Sequence, residues 1–573
     1  MRYLFVLLIN LVLSVRALLG LPFRLLGARH RPAYVRFRLT GDPPYRERTR
    51  SRQPWWMGRQ SRPEPGAVSS LESFRDALVL LARDARVKGI LLELESLEVP
   101  SAKQDVLRQL LADFRAAGKR VVSWSVHASS GEYQLMCAAD ELWLSPAGRL
   151  ELVGYAAEAM ALGGGLELLG VQAHFFRRGE YKTAPELFTH REVSDVQRQT
   201  LDAFLDERYA ELVEDVALGR KRTPEEVRAL IDAGPYSAKR AVATGLIDAT
   251  CDEADLSARL LGKAEDAKKD GKDEDEDTEG LETMPGYLGR LPWPQVRWRP
   301  WRRRTRVAVV PVSGMIVPGK GGGGQLAASE AVVKALRAAG RDRLSKAVVL
   351  YVSSPGGSAL ASELILEAVQ RVAKKKPVVA FMDRVAASGG YMAALGAREI
   401  WSTPHAVVGS IGVYAGKFDV SGLLAKVGVT RTLLTRGENA GIYSPSRGFT
   451  EHERASMEAE VEETYQAFLE HVAKARGKTK EEIHARAEGR VYSGRRALEA
   501  GLVDKLGGFE DACRRALELA KVPAARFDVT VYESTVPSFS LLRLLLSGAS
   551  AAVYTFCPAA WSLEGFGGAE RFK

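Results

Sequence analysis

The 573-residue sequence predicts an α/β protein: two tandem copies of one domain, each a parallel sheet with crossover helices, behind an N-terminal membrane-anchor helix. Three observations predict this. The first is length, since a chain this long exceeds one ordinary hydrophobic core. The second is self-similarity. "YAELVEDVALGRKRTPEEVRALIDAGPYSAKRAVATGLID" from Tyr209 matches "YQAFLEHVAKARGKTKEEIHARAEGRVYSGRRALEAGLVD" from Tyr465 without a gap. Tyr209, Thr223, Tyr236, Gly245 and Asp248 recur as Tyr465, Thr479, Tyr492, Gly501 and Asp504, each displaced by 256 positions. Further upstream the displacement is 258: Trp143 and Pro146 recur as Trp401 and Pro404, and "RGE" at Arg178 recurs at Arg436. A match this long means a duplicated domain. The third is pattern: short apolar β-branched runs alternate with helical stretches, the mark of parallel strands joined by right-handed crossovers.

Along the chain, residues 1–28 form the predicted anchor. Tyr3 to Val15 is nearly all apolar, Arg16 interrupts, and Ala17 to Gly27 resumes. No small-x-small cleavage motif follows, which favours an uncleaved signal anchor over a removed signal peptide. Arg16 then belongs near an interface, because an arginine in mid-bilayer is costly. Basic residues are denser after the segment than before it, so charge alone does not orient it. Residues 29–66 read as a basic Pro/Trp-containing linker, and residues 67–258 as the first repeat. Residues 259–305 read as a second linker, whose "GKAEDAKKDGKDEDEDTEG" (Gly262–Gly280) is too charged and too poor in apolar residues to fold.

Residues 306–525 form the second repeat. "RVAVVPVSG" is a buried strand, "SEAVVKALRAAGRD" an amphipathic helix, "KAVVLYVSS" a strand, "SALASELILEAVQRVAKKK" a helix and "PVVAFMD" a strand, with a further helix starting near Ser388. Long helices follow over Glu451–Arg476 and Lys480–Ala487, and "SGRRALEAGLVD" closes the copy with a helix and a strand. Residues 526–573 are an apolar tail. Its "SFSLLRLLLSGASAAVYTFCPAAW" (Ser538–Trp561) suits a membrane-facing or subunit-facing helix but is too interrupted to span a bilayer.

The net charge of +10 concentrates in "RERTRSRQPWWMGRQSR" (Arg46–Arg62) and "RWRPWRRRTR" (Arg297–Arg306). Basic residues interleaved with tryptophan suit an anionic membrane surface at least as well as nucleic acid. No nucleic-acid-binding module accompanies them, so no nucleic acid partner is expected. The four cysteines are scattered and the eight histidines form no HExxH pair. Neither a disulfide framework, nor a metal, nor a cofactor is expected.

In parallel α/β sheets, sites form where strands run into helices. Two such junctions are glycine-rich: "SSPGGSA" (Ser353–Ala359) and "AASGGY" (Ala386–Tyr391). Glycines let amides approach a ligand, and Ser388 stands at a helix start, which together suit acyl transfer. Singly, each has an ordinary reading as a turn or a helix cap. The repeat separates them from that reading. Ser388 and Tyr391 face Ser130 and Tyr133, but Pro355, Gly356 and Gly357 face Leu97, Glu98 and Val99. The first copy thus keeps a serine and loses the glycine loop, with Glu98 positioned to repel an oxyanion, so Ser130 is expected to be inert. No histidine lies near Ser388. The usual alternative base is a lysine held neutral by burial. Lys182 in "RRGEYKTAPELF" is lysine only in the first copy, since Ala440 or Glu438 stands opposite it in the second. One site assembled from Ser388 and Lys182 reconciles the complementary losses, although a loop lysine is ordinarily solvated. Ser410 in "VVGSIGV", after the next strand at the same sheet edge, is the candidate hydroxyl to orient the amine.

"SSPGGSALASE", "RVAASGGYMAA", "VVGSIGV" and "GEYKTAPE", in this order of lysine motif before serine motif, resemble the signal peptide peptidase A (protease IV) family in its long tandem form, over residues 67–520. The resemblance implies tandem ClpP/crotonase-like domains. It implies a membrane-anchored serine endopeptidase with a Ser/Lys dyad, Ser388 as nucleophile and Lys182 as general base, acting on cleaved signal peptides. It implies oxyanion amides at Gly357 and Gly389, and a homotetramer on the periplasmic side of the bacterial inner membrane. The rival readings are a crotonase-type acyl-CoA enzyme, which shares the fold but needs no Ser/Lys pair, and a catalytically silent membrane scaffold, which needs neither the serine nor the glycines.

Overall fold

The computed structural model describes residues 32–46, 66–97, 99–262, 281–289, 305–320, 326–524, 527–532 and 554–556, with a few isolated positions besides. Two compact units emerge. Described residues of the first come from 1–156 and 206–303, and those of the second from 157–205 and 304–566. The boundaries of these units differ from those of the sequence repeats, because residues 157–205 precede the end of the first repeat yet belong to the second unit.

The first unit is built on a seven-stranded sheet. Its centre runs Glu141–Glu151, Arg120–Ser129, Gly89–Leu97, Tyr34–Gly41, Leu281–Thr283, all neighbours parallel. The Tyr34–Gly41 strand lies inside the stretch predicted as a basic linker. "YVRFRLTG" alternates apolar and polar residues, and its arginines find a carboxylate. Arg36 Nε and Arg38 Nε lie 2.5 and 3.1 Å from the two oxygens of buried Glu93. The strand and helix over residues 281–289 likewise fall within the predicted charged linker. Tyr287 is buried there and donates to Asp84 at 3.0 Å. Local charge masked both elements in the sequence, and burial of their few apolar residues decides them.

The second unit carries an eight-stranded sheet whose centre is the parallel set Val407–Gly409, Val378–Ala387, Ser345–Ser354, Thr305–Ser313, Phe527–Val531. Val348, Val349, Leu350, Val379, Ala380 and Phe381 are fully buried, as strands covered on both faces require. Helices Ser329–Arg341 and Ala359–Ala373 supply apolar faces to this core. The strand predicted to end at Asp383 continues to Ala387, delivering Ser388 at its carboxyl end.

A second sheet, unexpected from the sequence, completes this unit. Its order is Leu326–Ala328, Met315–Val317, Gly356–Ser358, Tyr554–Phe556, Val413–Asp419, Gln172–Arg178. The first three strands are parallel and the last three pair antiparallel. Strands of three residues, two of them glycine in one case, leave no periodic signal to read.

The duplication extends to individual hydrogen bonds. Tyr133 donates to Leu246 O at 2.6 Å, and Tyr391 to Leu502 O at 2.7 Å. Asp248 accepts from Leu142 N and pairs with Arg220, as Asp504 accepts from Ile400 N and pairs with Arg476. Thr223 and Thr479 each cap a helix through a box closed by Glu226 and Glu482.

Most of the predicted anchor, residues 47–62 and 297–304 of the two basic segments, residues 263–280, and residues 538–553 and 557–561 of the predicted tail helix, Cys557 among them, lie outside the described residues. No described helix is long and apolar enough to cross a membrane. Within the tail, described residues Tyr554–Phe556 form a strand, where a helix was expected. Cys137, Cys251 and Cys513 are buried.

Candidate active site

The second unit brings Lys182, Ser388 and Ser410 together. Lys182 Nζ donates to Ser388 Oγ at 2.7 Å, to Ser410 Oγ at 3.0 Å and to Ser410 O at 3.0 Å. All three residues are buried, Lys182 at 1% exposure and Ser388 at 0%.

Each side chain is held by backbone constraint. Ser388 occupies φ 55°, ψ −118°, a left-handed conformation that a non-glycine residue adopts only under tertiary control. Its amide donates to Gly409 O at 2.6 Å. It sits at the N-cap position of helix Gly389–Ala394, yet its hydroxyl makes no capping bond and is left for the lysine. Ser410 is also left-handed, at φ 50°, and its amide donates to Arg490 O at 2.8 Å. Two serines at the ends of neighbouring strands thus face the same amine.

Lys182 arrives on a turn after strand Gln172–Arg178. That strand pairs antiparallel with Val413–Asp419, from Arg178 opposite Val413 to Gln172 opposite Asp419. The turn rests on the Glu488–Gly489 loop: Tyr181 N donates to Glu488 O at 2.7 Å, and Arg490 lies over the Tyr181 ring at 4.1 Å. A Cβ on Gly489 would stand 2.4 Å from Lys182 N, so only glycine permits this approach. Gly489 and Glu488 escaped the sequence reading, since a Gly in a loop carries no signal of what it abuts.

The glycine loop forms strand Gly356–Ser358. Gly357 has φ 150°, and a Cβ there would lie 2.0 Å from Ile316 O. Buried Ser354 accepts from Gly356 N at 3.2 Å. A Cβ on Gly390 would meet Ser354 O at 2.5 Å, so this glycine seats the serine helix against the glycine loop. Gly389 opens that helix, immediately after Ser388.

The first copy is built differently at each point. Ser129 caps helix Ser130–Met136, and Ser130 lies within it without a left-handed φ. Ser130 Oγ donates to Glu151 O and accepts from Val153 N, both at 3.1 Å. Buried Glu132, which faces Gly390 in the repeat, accepts from Leu97 N at 2.8 Å and Ser129 N at 2.9 Å. Glu98, the carboxylate predicted to spoil this site, lies outside the described residues; Glu132 is the one that occupies backbone donors there. Among the described residues, no lysine bonds Ser130 Oγ.

A buried serine freed from capping, bonded to a buried lysine amine beside a glycine strand, has the parts of a serine hydrolase of the Ser/Lys class. The chain matches the model of Peptidase family S49 twice, over residues 113–266 and 370–523, and it belongs to that family as a tandem-domain serine peptidase. It is 31% identical over 504 residues to Protease 4 of Salmonella typhi, covering 86% of this chain and 78% of that one. It is 30% identical over 484 residues to Protease 4 of Haemophilus influenzae, covering 81% and 75% respectively. It is 29% identical over 493 residues to the chloroplastic Serine protease SPPA of Arabidopsis thaliana, covering 84% and 70%.

Proposed function

We propose that the protein is a membrane-anchored endopeptidase in which Ser388 is the nucleophile, Lys182 the general base and Ser410 the hydroxyl that orients the amine. The observation that carries this reading is the 2.7 Å contact between Lys182 Nζ and Ser388 Oγ. Neutral Lys182 takes the proton from Ser388 Oγ as the oxygen attacks the scissile carbonyl carbon. The tetrahedral oxyanion accepts from the amides of Gly357 and Gly389, each such donor worth about 3 kcal/mol. The Lys182 ammonium then protonates the leaving nitrogen, the C–N bond breaks, and the acyl group stays on Ser388. Water, deprotonated by the same amine, hydrolyses that ester.

The substrates are extended apolar peptides, and cleaved signal peptides are the proposed physiological class. The C-terminal strand supports this mode of binding. Its backbone runs antiparallel beside Gly356–Ser358, Thr555 opposite Gly357, and bridges to Tyr414 on its other side. An extended segment therefore fits between these two strands, and a substrate held there gains main-chain hydrogen bonds independent of sequence. The homotetramer, the ClpP/crotonase-like class of each domain, and a place on the periplasmic side of the bacterial inner membrane, held by residues 1–28, belong to the same proposal.

A fluorophosphonate probe tests the nucleophile. Mass mapping after labelling should find the adduct on Ser388. Ser388→Ala should abolish labelling and peptide hydrolysis, while Ser130→Ala should label and turn over like the parent. An adduct on Ser130, or turnover by Ser388→Ala, contradicts the assignment.

A further inference from the structure

The motif "GEYKTAPE" holds a second ionisable residue that the proposed chemistry leaves unused. Glu186 follows Lys182 by four positions and opens the short helix Glu186–Thr189. Its side chain is 4% exposed, and a carboxylate is costly to bury unless it is paired. Two groups meet it. Arg177 Nη1, from strand Gln172–Arg178, donates to Oε1, and Ser194 Oγ donates to Oε2. Ser194 stands just before helix Asp195–Arg220 and accepts from Gln197 N at 3.2 Å. The same Arg177 Nη1 reaches Lys182 O at 3.4 Å. Glu186 thus fixes a donor that holds the main chain of the lysine itself.

The turn that carries Lys182 therefore has two supports: the Glu488–Gly489 loop, and Arg177 with Glu186. The duplication sets the second support apart. Opposite Arg177 the second repeat has Thr435 at the displacement of 258, or Leu433 at 256; opposite Glu186 it has Ser444 or Ile442. The copy without the lysine is also without both of these residues. The other charged groups around the turn are engaged elsewhere or open to water. Glu488 meets His484 Nε2 at 3.0 Å and accepts from Glu180 N at 2.9 Å, Arg178 pairs with Glu462, Arg490 lies over the Tyr181 ring, and Glu180 is exposed. Residues 386–390 and 409–413, which bring Ser388 and Ser410, carry no charge.

We propose that Arg177 and Glu186 are a positioning pair for the base, holding the Lys182 main chain so that its amine stays within reach of both serines. The pair acts through Lys182 and not on the reacting atoms, and the inference rests on the peptidase reading of Lys182. Reach, not charge, is what the pair supplies. Glu186→Gln keeps an oxygen for Arg177 at the same length, whereas Glu186→Asp keeps the charge and withdraws it by one methylene. A lysine released from its dry site meets water, and its pKa climbs toward the free value, so loss of the pair moves the pH midpoint of activity upward. Loss of a negative charge alone would move it downward, because that charge favours the ammonium.

Peptide hydrolysis and the rate of fluorophosphonate labelling at Ser388, both followed across the neutral-to-alkaline range on the full chain, test this. Glu186→Asp and Glu186→Ala should lose about 10²-fold in kcat and in labelling rate, with KM within about twofold of the parent and a raised midpoint. Glu186→Gln should stay within about threefold of the parent, its midpoint not raised. Arg177→Ala/Glu186→Ala, which leaves no buried charge unpaired, should lose no more than Glu186→Ala, since the two residues act as a unit. Thermal transitions report folding, and should Glu186→Ala fail to fold, the contrast between Glu186→Asp and Glu186→Gln decides. Parent-like Glu186→Asp, a Glu186→Gln as impaired as Glu186→Asp, a fall in kcat with an unmoved midpoint, or losses that multiply in the double variant overturns the positioning pair alone. A parent whose Ser388 is not labelled, or is labelled equally fast in Lys182→Arg, overturns the peptidase reading and this inference with it.

Discussion

Lys182 has a buried aliphatic stem and an amine facing two serine hydroxyls and a carbonyl. A free lysine has a pKa of about 10.4, and burial disfavours its charged form. The base works only when neutral, so activity should rise with pH through a single ionisation in the neutral-to-alkaline range. Lys182→Arg should be inactive across that range, because a guanidinium keeps its protons. Lys182→His should recover a trace of turnover with a lower pH midpoint. A pH–rate profile of the three enzymes checks this, and substantial turnover by Lys182→Arg would remove Lys182 from the role of base. Lys182 was legible in the sequence only because the repeat exposed its absence from the second copy. Ser388 was legible as a serine beside glycines at a strand end. That its hydroxyl does not cap the helix depends on φ 55°, which no local sequence feature dictates.

Elements position these residues by close approach. At Gly357 a methyl group would meet Ile316 O at 2.0 Å on a backbone of φ 150°. Gly357→Ala should therefore displace the glycine strand, destabilise the fold by about 1–3 kcal/mol and lower kcat by ~10²-fold. Thermal unfolding and steady-state kinetics read both effects. Another element boundary is set by charge. Asp342, after helix Ser329–Arg341, accepts from Ser345 Oγ at 2.7 Å, Leu344 N at 2.9 Å and Tyr532 OH at 2.9 Å. Burial pushes its carboxyl up, but these hydrogen bonds and Lys376 outweigh that and hold it down at about 2. A depressed folded-state pKa contributes stability that is complete above the unfolded value of about 3.9 and is lost as pH falls toward the folded value. Asp342→Asn should thus be less stable than the parent at neutral pH, with the gap narrowing between pH about 4 and 2. Denaturant midpoints at pH 7 and pH 3 measure the gap, and an equal gap at both would contradict the assignment. Helices, caps and the central parallel strands were readable from periodicity. The second sheet was not, because four of its six strands are three residues long, have no period and gain their pairing only from what surrounds them.

At the scale of the molecule, two copies of one domain diverged in complementary directions. One carries the lysine and has Glu132 on the backbone donors beside Ser130, and the other has the glycines but no lysine at the matching position. The anchor proposed for residues 1–28 predicts that deleting Met1–Gly27 moves the protein from the membrane fraction to the soluble fraction with peptidase activity retained. Fractionation of the two forms, with N-terminal sequencing of the full-length one, checks it. Sequencing that began beyond Gly27 would mean cleavage instead.

By itself, the sequence determined the duplication, the α/β class and the central strands, and it singled out Ser388 and Lys182 as the candidate pair, because repeats and apolar periodicity are local and additive along a chain. Only the tertiary structure decided that residues 157–205 join the second compact unit, that Ser410 meets the lysine through both its hydroxyl and its carbonyl, and that Gly489 makes room for the turn that carries Lys182. Those facts rest on contacts between residues up to 307 positions apart, as Gly489 is from Lys182. Packing, and not local propensity, selects the backbone conformations that allow them.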